Sequence, residues 1–497
     1  MTGLPHLLAL LSAAVCLSAE AGSAQSAAEA SASRHFESNH EGVFGGHKVR
    51  YKAVVEEFFI RDASGKRTAS LMATSYVRTD SPKGVTRPVL FVFNGGPGSA
   101  SLWLHMGFAG PRRLEFHNAV QPETTPPFNL VDNAESPLDV ADIVLFDPPG
   151  TGFSRVLPDG KPEQFYGVAQ DAQTTVDFIE QWVREYDRWN ARKYLLSESY
   201  GTVRAAVVSR LLAGGPTGTG NMDGVTLNGI VLLGQALDMS GSAGTDTRYV
   251  NELPSLAATA CYHHKAGASC TPEGQVEAAR KFGQETYVRA LYAGHDLPAG
   301  DRDPVAARLA DLTGLPLGYI KDHDLRVSAT EFAHALLGGE HQELGAYDGR
   351  YVLPSTGGAH DPVADDPAMG QYVPGFVAAY NVYVRDELHV AIEDHYEAIS
   401  FRNVNAHWDW GPGGVPGNYA TDLAAAMHRN PRLKLMIGAG YYDLVTPLGT
   451  AEYLLTHSDI PATATEVHVY PSGHMPYLGD ESRQALARDL RAFVGKE

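Results

Sequence analysis

The sequence predicts an α/β fold with a mostly parallel central sheet, an N-terminal antiparallel hairpin and a large inserted helical cap. Short apolar runs with the character of buried strands alternate with helical segments in two parts of the chain, which is typical of a parallel sheet covered by helices. Two extended runs near the N-terminus flank a polar turn, as in a hairpin. Residues 240–420 lose the alternation and contain clusters of Gly and Pro, which indicates an insertion.

The strands are predicted from apolar runs bounded by turn residues. The hairpin is expected over residues 47–60 and 67–79, on either side of Asp-Ala-Ser-Gly-Lys at 62–66. Buried strands are then expected at residues 88–93, 142–146, 193–196, 229–233, 433–437 and 466–470. Residues 167–189 place apolar side chains three or four positions apart, so they predict a helix that packs one face on the sheet: Val168, Ala172, Val176, Ile179, Val183 and Tyr186.

The order of these segments predicts five parts of the chain. We expect a signal peptide at residues 1–24, a flexible lead-in at 25–46, the first part of the core at 47–239, an inserted cap at 240–420 and the second part of the core at 421–497. The cap should cover the carboxyl ends of the strands, where parallel sheets place their sites.

Ser199 stands at a predicted bend between a strand and a helix. Residues 197–201 are Ser-Glu-Ser-Tyr-Gly, with an apolar run before them and an unbroken helical run after them. A nucleophilic serine on a tight strand-to-helix turn has this arrangement, usually with glycine where Ser197 stands here. The pattern also fits an ordinary turn, because a serine among small residues is common.

Residues suited to catalysis follow three other predicted strands. Residues 94–98, Asn-Gly-Gly-Pro-Gly, can expose backbone N–H groups as an oxyanion hole requires, although a simple tight turn also uses glycines. Asp443 and His474 follow the last two predicted strands, where a surface histidine would be the alternative for His474. The order Ser199, Asp443, His474 is that of α/β-hydrolases, so we predict that fold with these three residues as a catalytic triad.

The composition is that of a globular protein, and its net charge excludes some classes of binding partner. The 497 residues are 44% hydrophobic, which is ample for a core, and the formal net charge is −19. That charge argues against nucleic acid and against an anionic membrane as partners.

An apolar block at residues 7–19 predicts export. It is too short to span a bilayer, and possible cleavage sites follow at residues 19–21 and 22–24, as in a secretory signal peptide. The segment before it has no Lys or Arg, so a buried N-terminal helix is the alternative. No later apolar stretch has membrane-spanning length, so we expect no membrane insertion of the mature chain. Because the chain has no Asn-x-Ser/Thr sequon, a bacterial secreted or periplasmic location is favoured.

Cys261 and Cys270 remain after removal of the signal peptide. In an exported chain such a pair predicts a disulfide. Two free thiols are the alternative, and a zinc site that uses His263 and His264 is disfavoured by the cysteine spacing.

Four motifs together resemble the serine carboxypeptidase family. They are Asn-Gly-Gly-Pro-Gly-Ser at 94–99, Asp-Pro-Pro-Gly-Thr-Gly-Phe-Ser at 147–154, Glu-Ser-Tyr-Gly at 198–201 and Gly-His-Met at 473–475. The resemblance covers roughly residues 85–235 and 430–495, and the region predicted as a cap carries none of it.

The resemblance implies a role for each matching residue. Ser199 would be the nucleophile, His474 the base and Asp443 the acid that orients it. Backbone N–H groups of Gly96 and Tyr200 would form the oxyanion hole. Asn94 and Glu198 would bind the C-terminal carboxylate of a peptide substrate, with Glu198 protonated, which favours acidic pH. The family needs neither a metal nor an organic cofactor.

Departures from the family pattern keep alternatives open. A second glutamate, which would bond the first, falls near Phe108 by counting. The family often has Trp-x-Asn at the glycine loop, and this chain has Val92 at the tryptophan position. The segment after His474 is shorter than the usual form. The leading hypothesis is an exported serine carboxypeptidase that acts through an acyl-enzyme on peptides with a free C-terminus. An esterase or acyltransferase with the same triad is the first alternative, and a non-catalytic binding protein of the same fold is the second. The preferred residues and the oligomeric state stay open.

Overall fold

The computed structural model describes residues 33–496 apart from 83, 119, 215–223, 240–244, 268, 356–360 and 362. The predicted signal peptide at residues 1–24 lies outside the described residues. No helix in the described ranges is long and apolar enough to cross a membrane.

One large mixed sheet organises the chain. Its strands lie in the order β1-β2-β3-β7-β4-β9-β10-β13-β14, with β8 paired to β3. The strands of this sheet are β1 His35–Phe44, β2 His47–Arg61, β3 Arg67–Arg78, β4 Val89–Phe93, β7 Asp142–Phe146, β8 Arg155–Val156, β9 Lys193–Glu198, β10 Gly229–Leu233, β13 Lys434–Gly440 and β14 Thr465–Tyr470. Two short ribbons lie apart from it, formed by β5 Arg112–Leu114 with β6 Leu130–Asp132 and by β11 Gln342–Leu344 with β12 Val352–Pro354.

The six strands predicted as buried form the parallel part of the sheet. Strands β7, β4, β9, β10, β13 and β14 pair in parallel. Their central members are buried along their whole length, because helices cover both faces of the sheet. Their carboxyl ends therefore meet along one edge, which is where the candidate residues of the sequence lie.

The N-terminal part of the sheet is antiparallel. Strands β2 and β3 form the predicted hairpin. One expectation is wrong: residues 35–44, part of the predicted flexible lead-in at 25–46, form β1, which pairs with β2 over its whole length. Most of its side chains are polar and alternate between exposed and half-buried. Backbone pairing holds this edge strand, together with Phe44, which is buried in the core, and Phe36, which packs against that core. The turn that follows is Gly45-Gly46, with φ of 55° and 82°.

The helices lie on both faces of the sheet and in the inserted region. In chain order they are α1 Leu102–Leu104, α2 Val168–Glu185, α3 Tyr200–Leu212, α4 Asp246–Tyr262, α5 Pro272–Phe282, α6 Val288–Ala293, α7 Ala299–Thr313, α8 Leu317–Asp322, α9 Ala329–Ala335, α10 Met369–Val382, α11 Ala420–Arg429, α12 Leu448–Thr456 and α13 Asp480–Gly495. Wider π turns continue three of them, at His105–Ala109, Gly283–Tyr287 and Tyr383–Glu387. The predicted helix over 167–189 is α2, which ends at Glu185. Five of the six side chains predicted on its apolar face are buried, and the sixth, Tyr186, lies just beyond the helix and is half-buried.

The inserted region has a hydrophobic core of its own. Helices α4 to α9 pack around buried side chains such as Leu256, Leu309 and Phe332. From Tyr351 onward the insertion contributes to the cores on both faces of the main sheet, for example through Tyr372 and Phe376 on one face and Val404 and Trp408 on the other. The chain therefore passes from the insertion back onto the sheet before α11 begins, and the boundary predicted at residue 420 stays a prediction.

Candidate active site

Ser199 lies at the tip of a strained turn between β9 and α3. Its backbone has φ 58° and ψ −131°, a conformation that side chains rarely adopt. The turn is held because Ser199 N donates to Leu233 O at the end of the neighbouring strand β10, at 3.0 Å. The side chain is half-buried. This is the strand-turn-helix geometry that presents a serine hydroxyl above the sheet edge.

The glycine loop after β4 lies directly against this turn. A Cβ on Gly95 would stand 2.3 Å from Gly201 N and 2.5 Å from Tyr200 N, so only glycine permits the approach. Gly96 follows in the loop, and Ser99 N donates to Gly95 O at 3.1 Å, closing it. The residue before Gly96 therefore lies against the backbone of Tyr200, the other residue predicted for the oxyanion hole.

An ion pair that sequence reasoning missed fixes the loop to helix α3. Arg204 is fully buried, and its Nε donates to Asp171 Oδ2 of α2 at 2.7 Å. Its Nη1 donates to Asn94 O at 2.6 Å, while Tyr200 Oη donates to Asp171 at 3.4 Å. The sequence did contain a signal for this ion pair. Arg204 is a single arginine near the otherwise apolar start of α3, and Asp171 lies on the preceding helix. Truncation of either partner would leave a buried charge unpaired.

His474 and Asp443 form a hydrogen-bonded pair at the ends of β13 and β14. His474 Nδ1 lies 3.0 Å from Asp443 Oδ2. Asp443 Oδ1 accepts from Val445 N at 2.9 Å and from Thr446 N at 2.8 Å, and Thr446 Oγ1 donates to Oδ2. Thr446 was also missed, although a threonine three positions after an aspartate is the usual partner in such a turn.

The electrostatics of the pair favour an ionised Asp443. Burial alone would raise the pKa of Asp443, but His474 and the Thr446 donors outweigh it and lower that pKa below its ordinary value. Burial alone would lower the pKa of His474, and the Asp443 carboxylate outweighs this and raises it. A histidine with a carboxylate on Nδ1 carries its free nitrogen, Nε2, in the form that can accept a proton.

The imidazole lies next to the serine turn. A Cβ on Gly234 would stand 2.9 Å from His474 Nδ1, and Gly234 directly follows Leu233, whose carbonyl binds Ser199 N. His474 Nε2 is buried and has no hydrogen-bond partner among the residues that the structure describes, so Ser199 Oγ is not bonded to it here. Catalytic hydrogen bonds of this type are often long without substrate.

Asn94 and Glu198 form the second pair at the site. Asn94 Nδ2 donates to Glu198 Oε1 at 2.9 Å, and Asn94 Oδ1 accepts from Leu104 N at 3.0 Å. Asn94 is 2% exposed and Glu198 3% exposed. Glu198 Oε2 has no hydrogen-bond partner within the described part of the chain. One oxygen of the carboxyl is thus fixed by an amide donor, and the other is left for a further partner.

Glu198 keeps its proton to a higher pH than an ordinary glutamate does. The pKa of Glu198 rises to about 7, because burial dominates over His474, the Tyr477 hydroxyl and Asn94, which lower it. Tyr477 is 1% exposed, and its ring stacks on Phe108 with 6.3 Å between ring centroids. The position where the family pattern predicts a second glutamate is therefore apolar. The polar group that faces Glu198 comes instead from Tyr477, three residues after His474.

The predicted disulfide between Cys261 and Cys270 is confirmed, with Cα atoms 5.9 Å apart. It joins the end of α4 to the residue pair that precedes α5. His263 Nε2 contacts Gly349 O at 2.7 Å and takes no part in a site with the cysteines. The bridge lies within the core of the insertion, away from Ser199.

The chain matches a known family over the first part of this site. Residues 71–284 match the family model for serine carboxypeptidase, a segment that holds the glycine loop and the serine turn. Over these 214 of its 497 residues the chain is similar to the serine carboxypeptidase family. This match supports a serine-type carboxypeptidase, which is a hydrolase. Asp443 and His474 lie beyond the matched segment.

Solved structures show the same fold. Kex1Δp, a prohormone-processing carboxypeptidase from Saccharomyces cerevisiae, superposes with a TM-score of 0.56 at 15% identity, over 89% of this chain and 91% of that chain. At this identity the likeness shows the fold, which confirms the predicted α/β-hydrolase architecture. No curated protein matches the sequence.

Two more distant structures also align. Proline iminopeptidase from Mycobacterium smegmatis has a TM-score of 0.34 at 16% identity, over 92% of this chain and 99% of that chain. A carboxyl esterase from Bacillus coagulans has a TM-score of 0.33 at 11% identity, over 88% and 97%. At these scores neither structure bears on the chemistry of this protein.

Proposed function

We propose that this chain is an exported carboxypeptidase that releases C-terminal residues from peptides through an acyl-enzyme on Ser199. The observation that carries the proposal is the convergence of two pairs on one turn. The His474–Asp443 pair, at 3.0 Å, and the Asn94–Glu198 pair, at 2.9 Å, both adjoin Ser199. The first pair suits proton transfer and the second suits a carboxylate.

In the proposed reaction Ser199 Oγ attacks the last peptide carbonyl and passes its proton to His474 Nε2. Asp443 holds the imidazole through Nδ1 and stabilises its charged form. Backbone N–H groups of Gly96 and Tyr200 bind the developing oxyanion. His474 then gives the proton to the leaving amine, and water hydrolyses the acyl-enzyme by the reverse sequence of proton transfers.

In the proposed function, the neutral form of Glu198 binds the C-terminal carboxylate of the substrate. Asn94 Nδ2 occupies Glu198 Oε1, so the proton lies on Oε2, the oxygen without a partner in the described chain. From there it can be donated to a substrate carboxylate, whereas an ionised Glu198 would repel it. Because the pKa of Glu198 is about 7, peptide binding is favoured at acidic pH.

Export is supported by the disulfide. A bridge between Cys261 and Cys270 persists in oxidising compartments and is rare in the reducing cytosol. Together with the signal peptide predicted at residues 1–24, it favours a secreted or periplasmic enzyme.

The test compares one peptide with a free C-terminus and the same peptide amidated. A carboxypeptidase of this type cleaves the free acid with a kcat/KM that exceeds that of the amide by at least about tenfold, because a charge-assisted hydrogen bond is lost in the amide. Equal cleavage of the two would contradict the proposal. It would favour an esterase or acyltransferase with the same triad. That alternative stands because Phe108 occupies the position where the family pattern has a second glutamate.

A further inference from the structure

A segment of the inserted region runs between the two loops that carry Asp443 and His474. We name residues 346–350, Ala-Tyr-Asp-Gly-Arg, the strap. Gly349 N donates to Tyr442 O at 2.8 Å, and Leu444 N donates to Ala346 O at 3.0 Å. Both neighbours of Asp443 in the chain are therefore bonded to the backbone of the strap.

The strap also holds the histidine. His474 N donates to Tyr347 O at 2.7 Å, and the Tyr347 ring meets the imidazole edge-on with centroids 5.3 Å apart. A Cβ on Gly473 would stand 2.4 Å from Tyr347 O, so the backbones are in direct contact. Tyr347 thus contacts His474 twice, at the main-chain N–H of His474 and at its imidazole ring.

A buried ion pair braces the strap against the histidine loop. Arg350 Nε and Nη2 donate to the two oxygens of Asp348 at 2.9 and 2.6 Å, a bidentate arrangement. Arg350 Nη1 donates to Pro471 O at 2.8 Å, three residues before His474. The two side chains are 9% and 3% exposed. The guanidinium also lies over the Tyr442 ring, 5.0 Å from its centroid, so one arginine contacts both loops.

The far end of the strap is anchored to a helix. Ala346 N donates to Asp366, whose other oxygen accepts from Ala368 N and Met369 N at the start of α10. The strap is therefore fixed at both ends, and its position is set by the fold of the insertion rather than by the strands of the sheet.

From these contacts we infer that Arg350 and Tyr347 are positioning residues for the reaction: the strap sets the distance and orientation between Asp443 and His474. The inference rests on the proposed function, since it assigns the pair a catalytic use. It adds that the inserted region contributes to proton transfer as well as covering the sheet edge. Loosening the strap should slow chemistry without weakening substrate binding, because the strap contacts the base and its partner.

The test replaces Arg350 by lysine, which keeps the charge but loses the bidentate fork. The matched control is Arg87→Lys. Arg87 is also buried, donates through Nε to Asp142 at 2.9 Å and binds the backbone oxygens of Leu138 and Asp139, at the opposite end of the strands. Both variants should lose a similar amount of thermal stability. Only Arg350→Lys should lower kcat, by about ten- to a hundredfold with KM within about twofold, since a small misplacement of a base has that effect.

The pH profile separates positioning from mere folding. Asp443 raises the pKa of His474, so a looser pair should move the acid limb of kcat/KM to lower pH in Arg350→Lys and not in Arg87→Lys. If both variants keep the wild-type kcat and the same acid limb, the inference is wrong. Tyr347→Leu, which keeps the backbone bonds of the strap and removes the ring, provides a second variant if Arg350→Lys does not fold. Tyr347→Leu should also lower kcat and move the acid limb of kcat/KM to lower pH. Wild-type values of both quantities in Tyr347→Leu would overturn the role of the ring.

A labelled fluorophosphonate distinguishes failure of this inference from failure of the proposed function. Its rate of reaction with Ser199 depends on the base and not on recognition of a peptide C-terminus. If the wild-type protein is labelled but discriminates no C-terminus, the carboxypeptidase proposal fails, and slower labelling of Arg350→Lys still supports the strap. If the wild-type protein is not labelled, both are overturned.

Discussion

Replacement of Glu198 by glutamine tests whether a neutral carboxyl reads the substrate terminus. Glutamine keeps a donor at every pH, whereas Glu198 donates only while protonated. With a pKa of about 7 for Glu198, about 91% of the enzyme is protonated there at pH 6 and about 9% at pH 8. For a free-acid peptide, wild-type KM should therefore rise about tenfold over this interval, and KM of Glu198→Gln should stay nearly constant.

The loss should appear in KM rather than in kcat. Once bound, the substrate carboxylate raises the pKa of Glu198 further, so the complex keeps the proton. The assay is kcat and KM from pH 5 to pH 9 for both proteins, on a free-acid peptide and on a neutral ester. The ester makes no contact that depends on this proton, so its KM should not follow the titration in either protein.

Glu252→Gln is the matched control. Glu252 is also buried, at 6% exposure, and burial raises its pKa too, but it pairs with Arg248 in α4. This substitution should leave the alkaline rise of KM unchanged. The reasoning is refuted if Glu198→Gln and wild type share one KM profile on the free acid, because Glu198 then only braces the turn.

Three further predictions concern single contacts. Ser199→Ala should lower turnover by about four to six orders of magnitude while thermal unfolding stays within a few degrees of wild type, and near wild-type turnover would end the triad hypothesis. Tyr477→Phe removes a hydroxyl that lowers the pKa of Glu198, so the alkaline rise of KM should move to higher pH, whereas Tyr383→Phe, a buried tyrosine bonded to Tyr76, should not move it. Replacement of both Cys261 and Cys270 by serine removes a disulfide that joins residues at a sequence separation of 9. The free energy of unfolding should fall by about 2.6 kcal/mol, as measured by denaturant titration of the oxidised wild-type protein and the double variant.

The sequence predicted the sheet well because its central strands are buried on both faces. Such strands are continuous apolar runs, as at Val89–Phe93 and Gly229–Leu233, and each ends in the turn residues that form the site. Strand β1 was not predicted because it lies at the edge of the sheet and carries mostly polar side chains. Its signal was the turn: Gly45-Gly46, between two segments of alternating exposure, is a typical two-residue hairpin loop.

The contacts from the insertion could not be predicted from local pattern. The strap is irregular in structure, and its partners lie about a hundred residues later, at Tyr442, Leu444 and His474. No periodicity connects such segments, since tertiary packing alone brings them together. Tyr477 was overlooked for a related reason, because its importance depends on which residue stands opposite Glu198 rather than on the motif around His474.

Two carboxyl groups near one histidine have pKa values that their surroundings shift in opposite directions. Asp443 accepts from Val445 N, from Thr446 N and hydroxyl, and from His474, and these donors lower its pKa despite full burial. Glu198 accepts an amide bond from Asn94, and burial raises its pKa to about 7. Carboxyl groups whose environments separate their pKa values in this way serve different roles. An ionised Asp443 can only orient and stabilise His474, whereas a neutral Glu198 can donate a proton to an anion. The different donor counts around the two carboxyl groups support the proposed division of roles, with proton transfer by the His474–Asp443 pair and substrate recognition by the Asn94–Glu198 pair.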